Sequence, residues 1–243
     1  MIKALLLLFK FAKFGPVLKS AGFMLLSVGA YALFFGWWYA LGFVLLMLVH
    51  EMGHYVAARR LGMNVGLPTF IPFVGAWIEL KDQPLTVTQE AQIAFAGPFA
   101  GTVGAAAVLA LSQWQHSTLL LALAYAGFFI NLFNLVPITP FDGGRIVAIL
   151  SPKVWFIGVP LLIGAFLLTP SPMFLMILIL VAPTIYAALR AAWHGEVPEH
   201  NPRYYEVPLE ERVRYGAYYL ILISFLGYMT YRVHQNVEAL RNL

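Results

Sequence analysis

The sequence predicts an all-α polytopic membrane protein with about six to seven transmembrane helices and a short membrane-associated β-hairpin region between the second and third helices. Hydrophobic residues make up 61% of the 243 residues and charged residues only 11%, which is too little polar surface for a soluble globule of this size. The apolar runs have bilayer length, and no segment between them exceeds about 30 residues, too few for an independent core. We therefore expect one membrane-embedded domain over residues 1–243.

The first 19 residues form a basic, apolar segment in which Lys3, Lys10, Lys13 and Lys19 punctuate leucines and phenylalanines. This pattern predicts an amphipathic segment on the cytoplasmic leaflet. A signal peptide is the alternative, but no small-residue cleavage site precedes the continuing apolar chain.

Seven apolar runs follow, each long enough to be a helical span or nearly so. The last run is the least certain span, because without it only the side of the membrane on which the carboxyl terminus lies would change. The sequence therefore predicts six to seven spans. The predicted spans cover residues 21–35, 37–58, 91–111, 118–136, 154–168, 173–189 and 215–231.

The segment between Leu61 and Pro84 contains repeated glycines and prolines that exclude a helix. Within it, residues 70–80 are rich in aromatic and β-branched side chains, which predicts short strands. Two interpretations stay open: a self-contained membrane-dipping hairpin, or an edge to which an extended substrate could be added as a strand.

The basic residues indicate the orientation. A cytoplasmic amino terminus leaves only Arg232 and Arg241, of 15 Lys and Arg residues, on the outer side. We expect a multi-pass protein of the cell membrane with its site toward the cytoplasm, and a polar cytoplasmic loop over residues 193–214. The basic residues flank predicted spans, so no nucleic-acid partner is expected.

The second predicted helix ends with His50-Glu51-Met52-Gly53-His54. The two histidines are one helical turn apart, so both imidazoles can face one metal, and Glu51 between them is placed to act as a general base toward water. The motif could also arise by chance. However, if Arg60 marks the membrane boundary, a rise of about 1.5 Å per residue along the helix places His50 roughly 15 Å inside the bilayer. Ionisable residues at that depth favour a functional site over a structural hydrogen-bonded cluster.

Two histidines are one ligand short of the three that a catalytic zinc site usually takes. The chain has no cysteine, which leaves Glu90 and Asp142 as acidic candidates near or inside predicted membrane. We favour Asp142, because Pro137 and Pro140 break the fourth helix before it and irregular backbone in a membrane must be buried in protein or face a cavity. Gly143-Gly144 would allow an unusual turn and close approach. The alternatives for Asp142 are a helix cap or a partner for Arg145.

These motifs together resemble the site-2 protease family of intramembrane zinc metalloproteases. The resemblance covers His50–His54, the following Arg59-Arg60, the 70–80 strand region, Ala96–Gly101 and Asn134–Arg145. It implies one zinc per chain held by His50, His54 and Asp142, with Glu51 as catalytic base and Asn134 as a residue that orients substrate or contacts an oxyanion. The amide of Asn134 could equally satisfy backbone groups freed by Pro137. The PDZ and CBS domains of some family branches are missing, so we expect a minimal form.

The function expected from this resemblance is hydrolysis of peptide bonds in or near transmembrane segments of membrane-protein substrates. The alternative is a membrane metal-ion transporter that uses the His/Asp cluster as a transient ion site. An inactive scaffold is disfavoured because Glu51 is present. We expect solvated surface positions for the remaining histidines, which are His116, His194, His200 and His234.

Overall fold

The computed structural model describes residues 2–73, 75–84, 86–199 and 201–241, and within them the chain forms eight α-helices and one two-stranded sheet. The helices are α1 (Ile2–Phe35), α2 (Trp37–Arg60), α3 (Val87–Gln115), α4 (Thr118–Asn134), α5 (Asp142–Val147), α6 (Trp155–Leu168), α7 (Pro172–His194) and α8 (Leu209–Arg241). The strands β1 (Thr69–Ile71) and β2 (Gly75–Trp77) lie between α2 and α3. The predicted class, an all-α polytopic membrane protein with a small hairpin, is confirmed.

Four stretches of the described chain are long and apolar enough to cross a membrane: Gly15–Phe35 of α1, the whole of α2 and α3, and Phe174–His194 of α7. Thr118–Asn134 and Pro152–Leu168 are shorter apolar helical stretches. The predicted seventh run, residues 215–231, lies inside the longer helix α8, which is not among the four. The protein is therefore an integral membrane protein whose spans differ in length.

The amino-terminal segment differs from the expectation in one respect. The predicted surface segment 1–19 and the predicted span 21–35 are joined in the single helix α1, which begins at Ile2 and has Pro16 inside it. Most residues of this segment are Leu, Phe, Lys and Ala, which favour or tolerate a helix. Only Gly15 and Pro16 oppose the continuation of one helix through both parts. That the first part lies on the cytoplasmic leaflet stays a prediction.

The hairpin is antiparallel, and Phe70 of β1 pairs with Ala76 of β2. Val74, between the strands, is outside the described residues. Phe70 is buried, and α1 holds the hairpin from one side: the Ser20 hydroxyl donates to the Pro68 carbonyl at 2.5 Å, and the Phe73 amide donates to the Tyr31 hydroxyl at 3.2 Å. The predicted strand region is confirmed as a hairpin fixed to the first helix.

Helices α2, α3 and α4 pack against one another around small residues. A Cβ atom at Gly53 of α2 would lie 2.2 Å from the backbone oxygen of Ala96 on α3, so only glycine allows these helices to approach so closely. Gly127 of α4 faces Ala105 of α3 in the same way. This three-helix core carries the polar residues described below.

The segment between α4 and α5 is irregular, as the two prolines predict, and α5 begins at Asp142 itself. The expectation of an unusual backbone turn at Gly143-Gly144 is wrong, because neither glycine has a positive φ and both lie in α5. The expected close approach is confirmed: a Cβ at Gly143 would lie 2.1 Å from the Leu135 carbonyl oxygen, and one at Gly144 would lie 2.1 Å from the Ile138 carbonyl carbon. The glycines therefore let α5 fold back onto the segment that precedes it.

Candidate metal centre and active site

Helix α2 carries three adjacent polar side chains into the core. His50, Glu51 and His54 are buried, with 6%, 7% and 8% of their surface exposed. The Nε2 atoms of His50 and His54 are 3.1 Å apart, as expected for residues one turn apart with both rings on the same side.

Asp142 approaches the same point from α5. Its Oδ2 lies 3.2 Å from Nε2 of His50 and 3.2 Å from Nε2 of His54. Each of the three residues thus offers one ligand atom, and these atoms lie within 4.8 Å of one another. Within the described ranges, no other group of three or more His, Asp or Glu side chains has this property.

The outward nitrogens of both imidazoles are fixed by acceptors. Nδ1 of His54 lies 2.8 Å from the Ile93 carbonyl oxygen, which only accepts. Nδ1 of His50 lies 2.8 Å from Oδ1 of Asn131, whose amide nitrogen donates to the Gly127 carbonyl at 2.7 Å. Because that second bond fixes which end of the Asn131 amide faces His50, both Nδ1 atoms are donors in these contacts.

This arrangement fits a metal ion. Neutral imidazoles with a proton on Nδ1 carry a lone pair on Nε2, so two nitrogen lone pairs and a carboxylate oxygen converge in a buried space. Without a cation, the two nitrogen lone pairs and the carboxylate oxygen would repel one another, whereas a metal ion between them can bind all three. Two imidazoles and one carboxylate are also a donor set of catalytic zinc sites, with second contacts that orient each ring.

Glu51 is buried beside this cluster, yet its carboxylate forms no hydrogen bond or ion pair with any residue in the described part of the chain. It follows His50 directly on α2 and is not one of the three converging residues, but its charge interacts with all three of them. A buried carboxylate in that position is suited to accept and release a proton.

The alternative third ligand, Glu90, lies near the start of α3 and has a different partner. Its Oε1 accepts from Nε of Arg145 at 3.1 Å, and its Oε2 accepts a short hydrogen bond from the Tyr204 hydroxyl. The structure therefore brings Asp142 to the two histidines and pairs Glu90 with Arg145. The alternative role of Asp142, as a partner for Arg145, is present only as a longer contact of 3.9 Å.

Asn134, the predicted substrate-orienting residue, lies at the carboxyl end of α4, where its amide donates to the Ile130 carbonyl at 3.0 Å. The polar residue of α4 that contacts the cluster is Asn131, one turn earlier and 1% exposed. Asn131 was not among the site residues predicted from sequence, although a signal was present: an asparagine inside an apolar span is expected to face the protein interior.

The other histidines do not join the cluster. His116 caps the carboxyl end of α3 in the left-handed conformation, His194 is the last residue of α7, and both are exposed. His234 of α8 contacts Glu238 at 3.3 Å, and its ring lies 5.3 Å from that of Tyr125. His200 is outside the described residues.

Comparison with known proteins identifies the family. The model of peptidase family M50 matches residues 38–115 and 100–156, so its matches include the histidine pair and Asp142. The chain belongs to this family, and the resemblance to site-2 proteases drawn from its motifs is confirmed.

Two curated relatives are zinc metalloproteases by name. Putative zinc metalloprotease Rip3 of Mycobacterium tuberculosis is 32% identical over 134 residues, covering 50% of this chain and 34% of the relative. Zinc metalloprotease MJ0392 of Methanocaldococcus jannaschii is 30% identical over 128 residues, covering 49% of this chain and 37% of the relative. The matched region is thus little more than a third of either relative's length.

A site-2 protease from Methanocaldococcus jannaschii is among the solved structures that are similar. It matches with a TM-score of 0.45 and 20% identity, covering 72% of this chain and 87% of that chain.

Proposed function

We propose that this protein is an intramembrane zinc metalloprotease that hydrolyses peptide bonds in or near transmembrane segments of membrane proteins. One observation carries the proposal: the histidine pair of α2 and the aspartate of α5 converge near the buried Glu51. Helix α2, which carries the histidines and Glu51, is long enough to span the bilayer. The names of the curated relatives support the same chemistry.

His50, His54 and Asp142 would hold one zinc ion. Zinc in such a site supplies Lewis-acid chemistry, lowering the pKa of water and polarising a peptide carbonyl. The hydrogen bonds from Nδ1 of His50 and Nδ1 of His54 keep both Nε2 atoms directed at the ligand position.

Glu51 would carry the proton. It accepts a proton from the attacking water, and it returns that proton to the amine nitrogen as the peptide bond breaks. Because its carboxylate has no partner among the described residues, no existing ion pair or hydrogen bond has to break for this transfer.

The substrate must be extended at the cleaved bond, because a helix keeps its carbonyls in hydrogen bonds. The β1–β2 hairpin offers strands to which an extended segment could be added. Asn134, half-buried at the end of α4, would orient the substrate carbonyl through its amide.

We place this site toward the cytoplasm of a cell membrane, as the positions of the basic residues predict.

A transporter would be expected to offer further ionisable groups along a path through the bundle. In the described segments the His50–His54–Asp142 group is the one potential metal cluster, which favours a single catalytic site.

The test uses purified full-length protein in detergent, with zinc content measured beside cleavage of a single-span membrane substrate. The wild-type protein should bind about one zinc and cleave, the chelated protein should stop cleaving, and added zinc should restore cleavage. Asp142→Ala and His54→Ala should both lose zinc. Zinc flux into proteoliposomes without cleavage would support the transporter and contradict the proposal.

A further inference from the structure

A partly buried cluster of charged side chains lies beside the metal site. Arg145 and Glu90 form an ion pair with side chains that are 24% and 25% exposed. Tyr204, from the loop between α7 and α8, donates its hydroxyl to the other oxygen of Glu90. Both carboxylate oxygens of Glu90 are therefore engaged by groups from outside α3.

Arg145 has two carboxylates within reach. It follows Asp142 by three residues on α5, so the two side chains lie on the same face of that helix. Its Nη1 stands 3.9 Å from Oδ1 of Asp142, beyond hydrogen-bonding distance, whereas its Nε is 3.1 Å from Glu90. The guanidinium therefore binds Glu90 while lying within 4 Å of Asp142 as well.

We propose that Glu90, held by Tyr204, is a positioning residue that keeps Arg145 away from Asp142 and so leaves Asp142 available to the metal. This inference rests on the proposed zinc site. Guanidinium groups bind carboxylates strongly, often through two hydrogen bonds, and a carboxylate engaged in that way is a poorer metal ligand. The negative charge of Glu90 also offsets the positive charge of Arg145 beside a site that must accept a dication.

Tyr204 is well placed to hold Glu90. It is 4% exposed, and its backbone oxygen accepts from the Val87 amide at 3.1 Å, which fixes the loop to the start of α3. Burial, together with the nearby Glu90 carboxylate, raises the pKa of Tyr204 well above its usual value, so the hydroxyl keeps its proton at neutral pH. Tyr204 lies beyond residues 38–156, so a residue outside the M50 match would contribute to the site.

The test measures zinc affinity of full-length variants in detergent by competition with a chelator, together with their thermal unfolding. Glu90→Ala should weaken zinc binding roughly ten- to hundredfold, as loss of residues that orient metal ligands commonly does. Arg145→Ala should keep wild-type affinity or exceed it, because the competitor is removed. Glu90→Ala combined with Arg145→Ala should restore affinity toward the wild-type value.

Glu211→Ala is the matched control, because it removes a glutamate–arginine pair, with Arg214, on α8, and the Glu211 side chain is 24% exposed, much as Glu90 is. It should leave zinc affinity unchanged. Unchanged affinity in Glu90→Ala would overturn the inference while leaving the zinc site in place. Loss of zinc by Arg145→Ala, or no recovery in the double variant, would overturn it too, since the cluster would then act only as a clamp on α5. A wild-type protein that bound no zinc at the Asp142 site would overturn both proposals.

Discussion

Oδ1 of Asn131 lies 2.8 Å from Nδ1 of His50, and the other end of the same amide is bound to the backbone of its own helix. This contact joins α4 to the histidine pair of α2. It fixes the rotation of the His50 imidazole and the position of its proton. Both residues are buried, so water is not there to form this hydrogen bond instead.

The first prediction concerns that contact. Asn131→Leu keeps the side-chain size but removes the acceptor, so His50 loses its partner and zinc affinity should fall roughly ten- to hundredfold. The measurement is chelator competition on purified protein, with the histidine proton positions read by nitrogen-15 NMR.

Asn134→Leu is the matched control, one turn along the same helix. Because its amide contacts only the Ile130 carbonyl among the hydrogen bonds described, it should keep wild-type zinc affinity. Equal losses in both variants would mean that Asn131 acts through general packing of α4, and the assigned role would be wrong.

The second prediction concerns the space for His54. A Cβ at Gly97 of α3 would lie 2.2 Å from Nε2 of His54, so Gly97→Ala should displace the imidazole and reduce bound zinc. Gly164→Ala on α6 has no atom within 4 Å of the new carbon and should be neutral or slightly stabilising, since alanine favours a helix by about 1 kcal/mol. Zinc content and thermal unfolding of both variants provide the check, and full zinc occupancy in Gly97→Ala would contradict the site geometry.

The third prediction concerns orientation. A reporter fused after Gly36, between α1 and α2, should report the outer side of the membrane, and one near Glu199 should report the cytoplasm. The opposite pair of results would reverse the orientation and place the metal site near the outer face.

Much of this architecture follows from sequence because apolar runs and proline breaks act locally. The histidine pair of α2 is one turn apart in any helix, and the prolines after Asn134 end α4 wherever it packs. Local patterns of this kind predicted the apolar helices, the hairpin and the candidate ligands.

Other features depend on contacts between distant segments, which local patterns do not contain. The pairing of Glu90 with Tyr204 joins residues 114 positions apart, and Asn131 meets His50 over 81 positions. The helical conformation of Gly143 was missed for a similar reason: its small size serves contact with Leu135 and not an unusual turn. The sequence therefore indicated which residues are unusual, whereas the packing decided their partners.

The most direct measurement of the central claim separates metal binding from hydrolysis at Glu51. Glu51→Gln keeps size and shape and removes only the charge, so the variant should bind zinc and unfold at the wild-type temperature. Its cleavage of a single-span substrate should fall by roughly 10² to 10⁴ from loss of general-base help alone. Hydrolysis at an undiminished rate by zinc-loaded Glu51→Gln, with contaminating proteases excluded, would contradict the mechanism proposed for this protein.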